Sequence, residues 1–198
     1  MTRVLRDKGG FLSPVVSVVT HEGRSAVLKD YRSKNAITRN VVAPLLVRRE
    51  FDILKHLEGV PGIPRVFKVL EKRALLMEYI EGRTIGKFRP GELPDAVYEK
   101  LCSTVRAMHR RGVAHLDLRQ KKNIVVSDGR PYVIDFANAL RFKGRVPAPL
   151  RAVDESGLLK FKRRNFPHLL TEADREKLEA HKFARKFWIF SPRGKSVR

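Results

Sequence analysis

A chain of 198 residues that holds one cysteine cannot close an internal disulfide, so no covalent staple contributes to its stability. That cysteine, Cys102, lies on a helical stripe with Val97, Leu101, Val105 and Met108. It reads as a small core residue in a reducing compartment rather than a nucleophile. Acidic side chains are also scarce: 21 Asp and Glu face 42 Lys and Arg, for a net charge of +21. Such a field concentrates phosphate-bearing partners at the surface, whether nucleotide, nucleic acid or an anionic membrane. Long apolar runs are missing, which excludes a membrane-spanning helix, and no apolar core of a signal peptide precedes the first charged stretch. The expectation is a protein kept soluble in the cytoplasm.

What is present is a core-forming composition, 42% hydrophobic, arranged in two zones of different character. The β-branched run Val15 to Thr20, a short turn and Ser25 to Tyr31 predict a hairpin. Pro44 is placed at the first turn of a helix that ends near Gly59. Arg65 to Leu70 and Arg73 to Ile80 predict two further strands about a turn at Glu71 and Lys72. From Pro94 to Arg111 the periodicity is helical, with Gly112 as its cap. A second hairpin, Ile124 to Ser127 and Tyr132 to Asp135, surrounds "SDGR". Two helices follow, near Arg151 to Arg164 and from Thr171, where "TEAD" has capping-box spacing, to about Phe187.

One residue stands out on the first helix. Leu46, Val47, Ile53, Leu54 and Leu57 form its apolar stripe, and Glu50 lies in the middle of it. A carboxylate on such a face is costly unless a cation meets it. Arg48 and Arg49 project elsewhere, so the partner comes from another element. Lys29, in mid-strand on the face shared with Val27, can supply it. Farther on, "AHLDLRQKKNIVV" sets His115, Asp117, Arg119 and Asn123 between a helix and a strand, where backbone is free to present side chains. Asp135 ends the apolar strand "YVIDFA", where an acidic group can ligate Mg²⁺ through oxygen.

Taken in order, Lys29, Glu50, the connector "LLMEYIEG", "HLDLRQKKN" and "IDFA" resemble the protein-kinase-like fold over roughly residues 8 to 140. The resemblance implies an α+β, bilobal architecture. An N-lobe over 1–82 would hold a small antiparallel sheet with one helix, and a reduced, mostly helical C-lobe would occupy 83–198. It also implies ATP and Mg²⁺ as cofactors. Lys29 would meet the ATP phosphates with Glu50 orienting it. Asp117 would accept the proton of the acceptor hydroxyl, with His115 and Arg119 in the same catalytic loop, and Arg119 would face the γ-phosphate. Asn123 and Asp135 would hold the metal. The backbone from Glu78 through Tyr79 to Ile80 would receive adenine with Met77 behind it, and Gly9 and Gly10 would stand in for the phosphate loop.

Three departures from that family pattern are plain. The glycine-rich loop is reduced to "KGGFLSP". Ala137 replaces the last residue of Asp-Phe-Gly. Asn123 follows Asp117 by six residues instead of five, and Lys122 at the usual position carries donors only, so a one-residue bulge is required.

Only about sixty residues remain after Asp135, without the peptide platform of long protein kinases. Two small families resemble the chain, the RIO and tRNA-complex kinases and the lipopolysaccharide kinases. The tail, where residues 141–198 carry 16 basic and 6 acidic side chains, is similar to the lipopolysaccharide-kinase end. Lys160, Lys162, Arg163, Arg164, Lys182, Arg185 and Lys186 beside Phe183, Phe187 and Trp188 suit an anionic, partly lipidic surface. The leading expectation is therefore phosphoryl transfer from ATP to a lipopolysaccharide-core sugar at the inner face of the inner membrane. RIO-like serine/threonine phosphorylation and a non-catalytic kinase-shaped binding module are the alternatives, and a nucleic-acid partner is disfavoured.

Overall fold

The computed structural model describes residues 3–6, 10 and 12–178. Five antiparallel strands open the fold: β1 (Arg3–Arg6), β2 (Val15–His21), β3 (Arg24–Asp30), β4 (Val66–Leu70) and β5 (Ala74–Glu78), in the order β1-β2-β3-β5-β4. The β2–β3 hairpin follows from its turn, where Glu22 and Gly23 both take positive φ, the geometry that matches strand twist in a two-residue connection. The β4–β5 turn uses the same conformation at Glu71 and Lys72, neither of which is glycine. β1 is absent from the sequence reading, because "RVLR" is two adjacent apolar residues between arginines, with no alternation to mark a strand, and it sits at a sheet edge.

Helix α1 (Ala43–His56) packs on this sheet, burying Val47, Ile53 and Leu54 together with Glu50. Helical backbone begins earlier than the proline suggested, with a π turn over Thr38–Val42 in which Ala43 N–H donates to Thr38 O. Pro44 has no N–H for the ordinary i→i−4 bond, so a register change just before it is physically reasonable.

The second half is built around α2 (Asp95–Arg110), closed by Gly112 at φ +73. A three-stranded sheet, β6 (Arg83–Thr84), β8 (Ile124–Ser127) and β9 (Arg130–Val133), lies against it. A short ladder pairs β7 (Val113–Ala114) with β10 (Leu140–Arg141). Helix α3 (Ala148–Asn165) completes the body, and residues 172–178 start one more helical segment. Its capping box is realised: Asp174 N–H donates to Thr171 Oγ1 and Thr171 N–H donates to Asp174 Oδ2. Beyond 178 the expected helix, including Lys182, Phe183, Arg185, Lys186, Phe187 and Trp188, lies outside the described residues, as does Gly9.

One hydrophobic cluster runs from Tyr31 and Val47 through Leu101 and Met108 to Phe136, Phe161 and Phe166, so both halves share a core. Cys102 packs half-buried against it, its thiol pushed up by burial. Among the described residues no helix is long and apolar enough to cross a membrane.

Candidate active site

The two sheets leave a cleft of about 410 Å³ between them. Val16, Val27, Met77, Val125 and Ile134 line its apolar part, and Lys29, Asn123 and Asp135 its polar end. Glu78, Tyr79 and Ile80 border the same cleft. Gly10 is exposed and not among its lining residues; Arg3 and Leu5 of β1 are instead. The strand missed in the sequence thus supplies part of the wall.

Strand alternation turns Val27 and Lys29 into the cleft. Lys29 Nζ donates to Glu50 Oε1 at 2.6 Å and to Asp135 Oδ1 at 2.8 Å. Burial works against the ammonium, yet Glu50 and then Asp135 outweigh it and hold its pKa well above the usual lysine value. Glu50 Oε1 also accepts Phe136 N–H at 3.1 Å, so one carboxylate ties the lysine of β3 to the segment after β9. Asp135 itself takes φ +66, a conformation that costs a non-glycine residue energy and is kept where the surroundings fix it.

The loop after β7 carries the second group. Asn123 sits on a 3₁₀ turn (Lys121–Asn123), buried, and its Nδ2 donates to both Asp117 Oδ2 and Asp117 O at 3.0 Å. Lys122 is exposed. The extra residue is therefore absorbed by the turn, and the amide at the longer spacing reaches the aspartate. With Nδ2 committed, Asn123 offers its Oδ1 as acceptor. Oxygen donors from Asn123 and Asp135 could hold a hard cation such as Mg²⁺, which accepts few protein ligands when phosphates and water complete its shell. Among the described residues no group of three or more His, Cys, Asp or Glu side chains is placed to hold a metal ion.

His115 does not take the place expected of a catalytic group. It is fully buried, its Nε2 donates to Ile134 O at 3.1 Å and its Nδ1 accepts Asp117 N–H at 3.3 Å. Burial depresses its pKa, in keeping with a neutral ring between the two loops. The ring ties the Asp117 loop to Ile134, the residue before Asp135.

Asp154 of α3 escaped the sequence reading. Wholly buried, it accepts His115 N–H and Leu116 N–H at 2.9 and 2.8 Å and pairs with His109 Nε2 at 2.9 Å. It thereby fixes Leu116 at φ +65, the residue just before Asp117. Gly157, one turn on, allows the approach: a Cβ there would lie 2.8 Å from Leu118 Cβ. Arg119 donates to Ser156 Oγ at 3.0 Å and its carbonyl accepts from Lys160.

Three of the basic residues of α3 are tethers. Lys160 holds Arg119 O, Lys162 pairs with Asp174 at 2.6 Å, and Arg164 donates to Gly86 O. Phe161 and Phe166 are core residues. Of the cations expected beside Phe183, Phe187 and Trp188 on an anionic surface, these three bond within the body of the protein, and Lys182, Arg185 and Lys186 lie outside the described residues.

An antiparallel sheet with one helix, a lysine–glutamate pair beneath it, and an Asp–Asn loop opposite a left-handed aspartate define a protein-kinase-like fold. The RIO domain family profile matches residues 19–173, and the chain belongs to that family. The solved Rio2 kinase of Chaetomium thermophilum superposes with a TM-score of 0.62 at 16% identity, covering 95% of this chain and 72% of that one. Its complex with ADP, Mg²⁺ and phosphoaspartate gives 0.64 at 19%, covering 93% and 67%. Among curated proteins, CBL-interacting serine/threonine-protein kinase 19 of Arabidopsis thaliana is 26% identical over 136 residues, 65% of this chain but 28% of that kinase. Serine/threonine-protein kinase cds1 of Schizosaccharomyces pombe is 28% identical over 102 residues, 48% of this chain and 22% of its own length. The chain thus spans a minor part of the curated relatives it matches.

Proposed function

We propose that the chain is an ATP- and Mg²⁺-dependent kinase that transfers the γ-phosphoryl group to a serine or threonine hydroxyl of a protein. The observation carrying this reading is the convergence of Glu50 and Asp135 on the Lys29 ammonium at the polar end of an apolar cleft. Adenine fits the apolar part against Met77, with the connector Glu78 to Ile80 beside it. The phosphates then extend toward Lys29. Asn123 and Asp135 would hold Mg²⁺, which would neutralise charge at the phosphates. Asp117, oriented by Asn123, takes the hydroxyl proton as the acceptor oxygen bonds to phosphorus and the bond to the β-phosphate bridging oxygen breaks. Arg119 supports the loop from Ser156 and stands beside Asp117 in it.

The same reading divides the chain into an N-lobe, 1–82, and a reduced C-lobe, 83–198, and places it in the cytoplasm. A lipopolysaccharide-core sugar as acceptor has lost its main support: the RIO domain match and the protein kinases among the relatives favour a protein acceptor. One further reading has a specific observation behind it, since the related Rio2 complex contains phosphoaspartate. Phosphate would then pass first to a carboxylate of the chain itself. The deciding experiment is incubation with γ-labelled ATP and Mg²⁺ in the presence of protein acceptors or lipopolysaccharide core. Acid-stable label on protein supports the hydroxyl reading, and hydroxylamine-labile label on the chain supports the carboxylate one. Label on the sugar alone overturns both, and so does an absence of turnover.

A further inference from the structure

Three large apolar side chains point into solvent at four-residue spacing along the start of the α1 region: Ile37 is 72% exposed, Val41 60% and Leu45 69%. They are not on a loose loop. Asn35 Oδ1 accepts Thr38 N–H, Arg39 N–H bonds Asn35 O, and the π turn continues into α1 without a break. Thr38, Ala43 and Val47 face inward from the same stretch and are buried, so the outward stripe is fixed in place. A rigid apolar row of this length is a helix-docking face rather than scattered surface.

The charge around the stripe selects its occupant. Residues 31–49 contain Arg32, Lys34, Arg39, Arg48 and Arg49 and no acidic residue, and the first carboxylate after them, Glu50, is buried on the other face. Arg32 is engaged by Asp30 and Glu71, Arg48 by Asp52 and Arg49 by the Ala137 and Ala139 carbonyls, so Lys34 and Arg39 are the cations that the stripe offers to a partner. A second copy of this chain would bring the same cations against themselves. Residues 180–198, with six basic and no acidic side chains, would do the same. We propose that Ile37, Val41 and Leu45 dock an amphipathic helix of another protein, apolar at four-residue spacing and flanked by Asp and Glu.

The probe is a labelled helical peptide of about 18 residues, five turns, with Leu at every fourth position and Glu on both flanks. Its twin carries Lys in place of every Glu. Fluorescence anisotropy with the full chain should show the Glu peptide binding at least about tenfold more tightly than the twin, a comparison that needs no variant. Val41→Asp should weaken the Glu peptide by about tenfold or more, while the double variant Lys34→Glu/Arg39→Glu should turn the preference toward the Lys peptide. Equal binding of the two peptides overturns the proposal. Glu-peptide binding that ignores both Val41→Asp and the charge reversal overturns it too, because the peptide then sits elsewhere on a basic surface. A benzophenone side chain at position 41 that cross-links in the isolated protein to residues 180–198, or to a second copy, assigns the face to that occupant instead.

Discussion

Lys29 and Asp135, 106 positions apart in sequence, meet at 2.8 Å, and Glu50 accepts from the same ammonium at 2.6 Å. Removing the cation leaves a buried carboxylate beside a half-buried one. Lys29→Met should therefore destabilise the fold by about 3–5 kcal/mol, the range for breaking a buried pair from one side. Lys29→Met combined with Glu50→Gln should recover part of that loss without restoring phosphoryl transfer. Urea denaturation of the three proteins measures the first effect and γ-phosphate transfer the second. A single variant as stable as the parent would mean that Glu50 is not relying on Lys29.

Asn123 and Lys122 separate the bulged reading of the loop from the usual spacing. Asn123→Ala should raise the Mg²⁺ concentration needed for half-maximal turnover and lower the rate by about 10²-fold, by analogy with other misplaced catalytic groups. Lys122→Ala should do much less to either. Titration of activity with Mg²⁺ distinguishes them, and equal effects would place the metal elsewhere.

Much of this arrangement was legible because each piece carried its own physical anomaly. Glu50 interrupted an apolar stripe and called for a distant cation, and Lys29 lay in mid-strand on a register that could supply it. The order of strands and helices followed from turn chemistry at Gly23, Pro44, Gly112 and Gly129. Asp154 was hidden because α3 is buried on several faces and shows no clean stripe against which an acid would stand out. His115 looked available because a histidine beside an aspartate reads as chemistry until burial is known. The edge strand β1 was invisible for a related reason: it has no apolar period of its own and is held by pairing with β2. The π turn went unseen because its apolar residues at helical spacing, Ile37, Val41 and Leu45, face solvent and mark no core stripe.

His115 provides a pH signature. Its folded pKa lies below the ordinary value of 6.5, so on acidification the unfolded chain takes the proton first. The contribution is fully present above about pH 6.5 and is lost as pH falls below it, at no more than about 1.4 kcal/mol per pH unit. Unfolding free energies between pH 7.5 and 5 should fall more steeply for the parent than for His115→Asn. Parallel slopes would show that another group accounts for the acid sensitivity.

Asp154 and Gly157 predict that α3 governs the loop carrying Asp117. Asp154→Ala strands the N–H groups of His115 and Leu116 and the His109 ring, a cost of about 1–3 kcal/mol for each buried group left unsatisfied. Asp154→Asn keeps one acceptor oxygen and should be the milder change.

Gly157→Val acts without touching any hydrogen bond. Already the first side-chain carbon would lie 2.8 Å from Leu118 Cβ and 3.0 Å from the Leu118 carbonyl carbon, so the helix or the loop must move. Cores of this density respond to such overpacking with about 1–3 kcal/mol of destabilisation and a displaced neighbour. Here the neighbour is the backbone next to Asp117. Turnover should therefore drop more than nucleotide affinity, since Lys29, Met77 and the connector are remote from α3. Measuring both on the same preparation is the check: a matched loss of affinity and rate would point to general unfolding, whereas an unchanged rate would show that the Asp117 loop does not take its position from α3.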